Sequence, residues 1–216
     1  MVGILGIWND CAVGKIETYE AWYHGEHLAD RVGISGFRFG RRHEAIMGSP
    51  HYFTYYETDS VEVLFSEQYL KQLDHPSPLT QEVMDGVFIN ATRTVCERAT
   101  RVGAGRGGYV VVGRTKTNLT QVDWNPMLSS LMPKTGVLSL ELWRKAKISN
   151  GNNKARAEEQ IRGPDETIMG AFIVHTAREC DARRIYGIVS PNHNGDIGIY
   201  HLVSELDHSN LDSPST

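Results

Sequence analysis

The segment around His27 carries the side chains best suited to proton transfer. An imidazole takes up or releases a proton near neutral pH, and Tyr23 and Arg31 lie one turn away on a predicted helix. We therefore predict that His27 is a catalytic acid or base and that Tyr23 binds substrate. At about 100° per residue, His27 lies opposite the apolar side of this helix. It reaches a cavity if the helix bends or ends near Gly25 or if a loop covers it, and it is otherwise a surface histidine.

His24 lies three residues before His27, and we assign it to substrate binding. A histidine pair at this spacing can share a metal ion, but a metal site needs a third ligand, and Glu26 lies on another side of the predicted helix. The Gly-rich run at 103–108 resembles a dinucleotide fingerprint, yet it opens no predicted helix that could receive a pyrophosphate. We therefore predict neither a metal site nor a cofactor.

Arg41 is the residue that we predict to hold an anionic group of the substrate. It belongs to the alternating segment 34–45, in which only one of Arg41 and Arg42 can face a cavity. A guanidinium can hold a carboxylate or an enolate through two parallel hydrogen bonds, although a salt bridge at the edge of the sheet is an equal alternative. Tyr55 is assigned to substrate binding, with the neighbouring Tyr56 as the alternative. The residues predicted to share the face of Arg41 are Phe37, Phe39 and His43.

Glu141 is the third predicted catalytic residue. Three leucines alternate with Glu141 and Trp143 in the segment 136–146, and the leucines are suited to packing against helices. Glu141 and Trp143 would then point into a cavity, where a buried carboxylate can act as an acid or a base. A structural ion pair with an inner arginine is the alternative. Trp143 on this strand and His175 on the next strand are assigned to substrate binding.

The bulk composition excludes several classes of function. The 216 residues include 22 Lys and Arg and 26 Asp and Glu, so the net charge is −4, and no basic run is interleaved with aromatic residues. This disfavours nucleic-acid binding. No apolar stretch approaches the roughly 20 residues of a membrane helix, and the N-terminus is typical of a strand rather than a signal peptide. The odd number of cysteines, 3, favours a reducing compartment, and we predict a cytoplasmic protein.

The order of the predicted elements is β-α-β-β-α-β, and it occurs twice. This order is typical of a ferredoxin-like unit, so we predict an α+β fold of two tandem units. In the first unit we predict strands at 2–8, 34–45, 51–58 and 88–97, with helices at 16–32 and 60–74. In the second we predict strands at 108–115, 136–146, 167–175 and 197–205, with helices at 119–132 and 177–187 and a loop with at most one helical turn at 149–166.

Two ferredoxin-like sheets must cover each other's open faces. Each unit has helices on one face of its sheet only, so the apolar residues of the other face need a partner layer. Two facing sheets within one chain form an α+β barrel that encloses a cavity. The predicted organisation is a first half at 1–102, a Gly-rich linker at 103–107, a second half at 108–206 and a disordered tail at 207–216.

Residues 22–43 carry the sequence Trp-Tyr-His-Gly-Glu-His-Leu followed by Gly-Phe-Arg-Phe-Gly-Arg-Arg-His. Together with the aromatic run at 50–57, this segment resembles EthD-like and related proteins of the dimeric α+β barrel superfamily. The resemblance covers about the first 100 residues, and the second half is similar by element order alone. The second half has no Trp-Tyr-x-x-Glu-His motif, so the resemblance implies one retained site and one lost site. It also implies self-association, and a homodimer is the predicted assembly.

The superfamily that this resemblance names includes cofactor-free monooxygenases, isomerases, polyketide cyclases, haem enzymes and stress proteins. The fold cannot choose among these activities. Our first hypothesis is a small enzyme that performs cofactor-free acid–base chemistry, as an isomerase, cyclase, lyase, decarboxylase or hydrolase, on a small aromatic or cyclic molecule. The alternatives are a cofactor-free or haem-dependent oxygenase, and a ligand-binding or stress-response protein without catalytic activity.

Overall fold

Eight β-strands form the centre of the molecule. The computed structural model describes residues 1–117, 130–132, 134–147 and 155–211. The strands are β1 (Gly3–Cys11), β2 (Phe37–Met47), β3 (Tyr52–Thr58), β4 (Phe88–Gly103), β5 (Tyr109–Thr115), β6 (Val137–Lys145), β7 (Gly170–Thr176) and β8 (Asp196–Asp207).

The strands close into one antiparallel barrel, which confirms the predicted α+β barrel within one chain. Their order around the barrel is β1-β3-β2-β8-β5-β7-β6-β4. Each set of four strands therefore has the same internal order, with its last strand beside its first. The two sets join twice, because β2 pairs with β8 and β4 pairs with β6. The long β4 makes this possible, since its first part pairs with β1 and its last part with β6.

Helices cover the outside of the barrel. Two of them begin at serine caps, because the Oγ atoms of Ser66 and Ser77 accept hydrogen bonds from the backbone N–H groups of Tyr69 and Thr80. Within the described ranges, no helix is long and apolar enough to cross a membrane. The helices are α1 (Ile16–Trp22), α2 (Leu28–Val32), α3 (Glu67–Asp74), α4 (Pro78–Met84), α5 (Ala157–Arg162) and α6 (Glu179–Val189). Shorter turns are π-helical at Tyr23–His27 and 3-10 at Val61–Phe65, Ser190–Asn192 and His208–Asn210.

The barrel wall separates three buried clusters. The first fills the interior and contains Trp8, Phe53 and Trp143. The second lies between the helices α1 to α4 and the outer face of the first four strands, and the third lies between α6 and the outer face of β5, β7 and β8. Side chains on the two faces of the barrel wall therefore belong to different compartments.

Some predicted elements require correction. A β-bulge between Phe37 and Phe39 inverts the alternation of β2, so Phe37 packs among the helices and does not share the face of Arg41. Residues 207–211, which we predicted to be part of a disordered tail, end β8 and form a 3-10 helix, while 212–216 lie outside the described residues. The predicted helix at 119–132 falls largely outside them as well. The segment at 149–166 contains the helix α5, beyond the part that is not described.

The Gly-rich linker closes one end of the barrel at very short distance from β7. A Cβ atom on Gly107 would lie 1.9 Å from the carbonyl oxygen of Thr176, whereas a Cβ on Gly108 would have no neighbour within 4 Å. We expect Gly107→Ala to lower the free energy of unfolding by about 1–3 kcal/mol, as overpacking does. Gly108→Ala is the matched control and should change it by less than about 0.5 kcal/mol. Chemical denaturation of both variants tests this, and equal stabilities would contradict the close packing of the linker.

Candidate active site

A π-helical turn buries His27. The turn at Tyr23–His27 interrupts the α-helical geometry between α1 and α2, so the spacing of about 100° per residue that placed His27 on the surface does not hold across it. His27 is 6% exposed, and its ring lies over the ring of Trp22 with centroids 3.9 Å apart. The helix thus departs from α geometry around Gly25, as a cavity-facing His27 requires. His27 faces the space between the helices and the sheet, and not the barrel interior.

His27 lines a small space that we call the inner pocket. Its volume is about 20 Å³, which is enough for one molecule of the size of water. The polar lining residues are Trp22, Tyr23, His27, Arg31, Tyr56, Tyr69, Arg93, Glu158 and Arg162. The apolar lining residues are Leu5, Ile7, Leu73, Met84 and Phe88.

The environment of His27 keeps its imidazole neutral. Burial lowers the pKa of His27 well below 6.5, and the positive charges of Arg31, Arg162 and Arg93 lower it further. The imidazole forms no hydrogen bond with any other described residue. A neutral imidazole has one nitrogen that can accept a proton. Among the described residues, His27 is therefore a proton acceptor without a hydrogen-bond partner, and it lines the inner pocket.

The charges of the inner pocket do not balance. Arg31 is paired with Glu158, and Arg162 is paired with Asp165. Arg93 donates a hydrogen bond to the hydroxyl of Tyr69, and it has no carboxylate within 4.0 Å among the described residues. Three arginines and two carboxylates give this cluster a net charge of 3 − 2 = +1. An anionic group that enters the pocket would be stabilised.

Two tyrosines add neutral hydroxyl groups. Tyr23 donates a hydrogen bond of 3.1 Å to Thr54, and Tyr56 forms no hydrogen bond of normal geometry. Burial raises the pKa of Tyr23, and it raises the pKa of Tyr56 well above 10. Both hydroxyls therefore keep their protons at neutral pH. The unpartnered Tyr56 hydroxyl can donate a hydrogen bond to a bound molecule.

The second half of the chain completes the pocket of the first half. Helix α5 packs against α3 and α4, and it supplies Glu158 and Arg162. Arg156, just before this helix, pairs with Asp74 at 2.7 Å. The segment that follows reaches β4, where the backbone N–H of Arg93 donates to the carbonyl of Glu166. The site therefore belongs to both halves.

A larger space, which we call the outer cavity, adjoins the inner pocket. Its volume is about 910 Å³, and its wall shares Met84, Phe88 and Arg162 with the inner pocket. It lies at the end of the barrel where β1 ends and β4 begins. Arg114 is a buried cation in its wall, placed over the ring of Trp8 at 5.2 Å and paired with Asp196 at 3.2 Å. A pocket of this size accommodates a molecule of several fused rings.

The other predicted site residues lie elsewhere. Inside the barrel, on the opposite side of the wall from His27, lie Arg41, Tyr55, Glu141, Trp143 and His175. Glu141 accepts hydrogen bonds of 2.9 Å from Arg98 and from Trp143, which is the ion pair that we named as its alternative role. His24 is exposed and lies 3.4 Å from Glu20. Of the predicted residues, the structure brings only Tyr23 and His27 together in the inner pocket.

Several residues of the candidate site were not predicted. Tyr56 was named as the alternative to Tyr55, and both are buried, on opposite faces of β3. Arg31 follows His27 by four residues, so helical spacing brings them together. Arg93 lies in a predicted strand, and its alternation could have placed it opposite the barrel interior. Glu158 and Arg162 carried no signal, because nothing in the sequence of a polar loop indicates which surface it covers.

The residues present do not fit a haem or a metal centre. Haem iron is held by His, Cys, Met or Tyr side chains. The inner pocket, where His27 lies, is far smaller than a porphyrin, and the outer cavity has Met84 as its one side chain of this kind among the described residues. Met84 is itself buried and accepts a contact from Arg162. Across the described ranges, no group of three His, Cys, Asp or Glu residues is placed to hold a metal ion.

Comparisons with solved structures show the dimeric α+β barrel fold. An anthrone oxidase-like protein has a TM-score of 0.61 and 11% identity over 100% of this chain and 96% of its own. A candidate monooxygenase from Fusobacterium nucleatum has a TM-score of 0.53 and 7% identity over 95% and 94%. A mutant chlorite dismutase from Candidatus Nitrospira defluvii has a TM-score of 0.50 and 8% identity over 94% and 91%. No protein-family model and no curated protein matches the chain. Membership of the EthD-like family stays a prediction.

Buried neutral histidines make the stability depend on pH. Burial lowers the pKa of His27 and of His175 well below 6.5, and that of His43 to about 3. The unfolded chain takes up these protons as the pH falls below about 6.5, while the folded protein does not, so stability falls on acidification. Each histidine contributes up to about 1.4 kcal/mol per pH unit. We expect His27→Gln to reduce the slope between pH 6.5 and 5.5 by about a third.

Denaturation curves at several pH values measure this slope. His24→Gln, a change in the exposed histidine one turn earlier, is the matched control and should leave the slope as it is. A slope that is the same with and without His27 would mean that the folded protein protonates this histidine as readily as the unfolded chain does.

Proposed function

We propose that the protein is a small cofactor-free oxygenase that acts on an electron-rich aromatic or cyclic molecule. One observation carries this proposal: a neutral histidine without a hydrogen-bond partner among the described residues lies in a small pocket of net positive charge, beside a cavity large enough for several fused rings. An unpartnered base and an excess of positive charge are what the formation of a carbanion or enolate requires. The outer cavity would hold the ring system, and the reacting edge would pass Met84 and Phe88 towards His27.

The proposed reaction begins with a proton transfer. His27 accepts a proton from a methylene group beside a carbonyl or an aromatic ring, and the two electrons of the C–H bond stay on the substrate. Arg93, which has no carboxylate partner, lies in the pocket that receives this negative charge. The Tyr56 hydroxyl donates a hydrogen bond to the substrate oxygen that carries this charge. Binding of the substrate anion offsets the charge repulsion that otherwise disfavours the imidazolium of His27.

The oxidation then uses dioxygen alone. The substrate anion transfers its electrons to dioxygen as a C–O bond forms, and His27 returns its proton to the outer oxygen of the peroxide. The hydroperoxide loses water and becomes a carbonyl. The methylene group and dioxygen therefore become a carbonyl group and water, with no external reductant.

Two considerations favour this proposal over our first hypothesis of isomerase or lyase chemistry. The two similar structures with the higher TM-scores are an anthrone oxidase-like protein and a candidate monooxygenase, and both names denote oxidation. The side chains around His27 do not suit a haem, so the cofactor-free form of the oxygenase alternative is preferred to the haem-dependent form. Acid–base chemistry without oxygen would use the same histidine. The test must therefore distinguish an oxygenase from an acid–base enzyme.

Oxygen consumption with anthrone as the probe tests the proposal. Anthrone is a planar molecule of three fused rings with an acidic methylene group. We expect the protein to accelerate oxygen uptake and His27→Gln to lower kcat/KM by about 100- to 10,000-fold, as the loss of a positioned base does. His24→Gln should keep the activity, because His24 lies on the surface and outside both cavities.

The competing activities give different results. Conversion of a substrate without oxygen uptake, lost in His27→Gln, would replace the oxygenase by an acid–base enzyme at the same site. Binding of anthrone without any turnover would favour a ligand-binding protein. Full oxygenase activity in His27→Gln would contradict the role of His27, and loss of activity in Arg41→Gln or Glu141→Gln alone would move the site into the barrel interior.

A further inference from the structure

The barrel interior contains polar side chains whose hydrogen-bonding capacity is not used. They lie towards the end closed by the Gly-rich linker, and all are at most 2% exposed. A buried polar group without a partner is destabilising, so such groups are rare in native proteins unless water or a ligand pairs with them. The unpartnered atoms are Nη1 of Arg41, Nε2 of His43, the hydroxyl of Tyr55, and Nδ1 and Nε2 of His175.

These side chains form one cluster. Arg41 lies directly opposite Tyr55 in the pairing of β2 with β3, and the rings of His43 and Tyr55 are parallel within 11° with centroids 5.9 Å apart. His175 reaches the cluster from β7 across the barrel. The charge of Arg41 and the ring of His43 lie close enough to His175 to lower its pKa further than burial alone does. Arg41, His43 and Tyr55 therefore present polar atoms from two neighbouring strands to one part of the interior, and His175 faces the same interior from β7.

The hydrogen-bond roles in this cluster are mixed. Nδ1 of His43 lies 3.2 Å from the carbonyl oxygen of Phe53, and a carbonyl can only accept, so Nδ1 carries the hydrogen. In the neutral ring Nε2 is then an acceptor. Arg41 Nη1 and the Tyr55 hydroxyl are donors, and His175 offers one nitrogen of each kind. A matching ligand has one oxygen that accepts and another that can carry a proton.

The ion pairs of this region leave one donor of Arg41 for a ligand. They join five arginines to four carboxylates, and a fifth carboxylate, Asp207, lies near enough to Arg106 for that charge to lower its pKa, so the positive and negative charges balance. Arg41 uses Nε towards Glu205 and Nη2 towards the carbonyl of Gly107, so Nη1 is the part of its guanidinium that remains for a ligand. The arginines are Arg38, Arg41, Arg98, Arg101 and Arg106, and the carboxylates are Glu57, Asp59, Glu141 and Glu205.

We propose that this cluster binds a small carboxylate-type anion, of the size of formate or bicarbonate, inside the barrel. Arg41 and Tyr55 donate hydrogen bonds to one oxygen, and the other oxygen shares a proton with Nε2 of His43. The ligand must be small, because Phe39, Phe53 and Trp143 fill the surrounding interior. The site lies across the barrel wall from His27, and its existence does not depend on the proposed oxygenase activity.

The linker lies over this end of the barrel. Arg106 is the one charged residue of the Gly-rich run, and its guanidinium lies over the ring of Phe39 at 4.1 Å. Its ion pair with Glu57 is long, at 3.4 Å. In this proposal a ligand reaches Arg41 when the Arg106 side chain and the adjoining linker move together.

A formate titration of the full chain tests the proposal. Calorimetry and the ¹⁵N chemical shifts of the histidine rings are followed at constant ionic strength, with chloride as the balancing salt. We expect saturable binding that shifts the ring nitrogens of His43 and His175. Arg41→Gln should weaken this binding by at least about tenfold, because it removes a charged hydrogen bond. Tyr55→Phe keeps the ring and its packing, so it provides a second variant that folds if Arg41→Gln does not.

The matched control is Arg183→Gln, on the exposed surface of α6, where the arginine pairs with Glu179. It should bind formate as the unchanged protein does. Binding that is equal in Tyr55→Phe and in the control, or no saturable binding with the histidine rings unaffected by formate, would overturn the proposal. The cluster would then be paired with buried water alone.

Discussion

Two backbone pairings determine the rest of this structure, that of β2 with β8 and that of β4 with β6. They convert two sheets into one closed wall, which separates the barrel interior from the layer beneath the helices. A step of one residue along a strand therefore moves a side chain from one compartment to the other. Arg41 and Arg42 show this, since Arg41 joins the ion pairs inside the barrel and Arg42 stacks on Tyr19 and Tyr23 beneath the helices.

The two compartments solve the problem of buried charge differently. Inside the barrel, arginines and carboxylates from both halves form a connected network, and aromatic rings fill the space around it. Beneath the helices, Arg93 has a tyrosine and not a carboxylate as its partner, and a small space remains beside His27. A connected network of ion pairs rigidifies its surroundings, whereas a cation without a carboxylate partner beside a neutral base is a reactive arrangement. This difference, rather than the number of charges, is why we place the chemistry beneath the helices.

The fold was predictable because its signals are local and periodic. Alternation defined the strands, and the repeated element order defined the two units. The candidate site was predictable only in part. The family-like segment drew attention to Tyr23 and His27, but a helical wheel assumes an ideal α-helix and so placed His27 on the surface, which the π-helical turn at Tyr23–His27 overturns. Arg41 and Glu141 have the residue types of a catalytic site, and alternation brought them inside correctly, yet spacing cannot distinguish a catalytic carboxylate from one held by Arg98. Glu158 and Arg162 depend on a long-range contact.

Helix α5 has a consequence for how such a protein can diverge. Because Glu158 comes from the second half, the first half alone would present Arg31 without its counter-charge. When two units share one chain, one unit can supply part of the wall of a pocket in the other. Two identical subunits cannot do this without altering both of their sites at once. The two halves then differ because the sequence of one half is constrained by a cavity that lies in the other half.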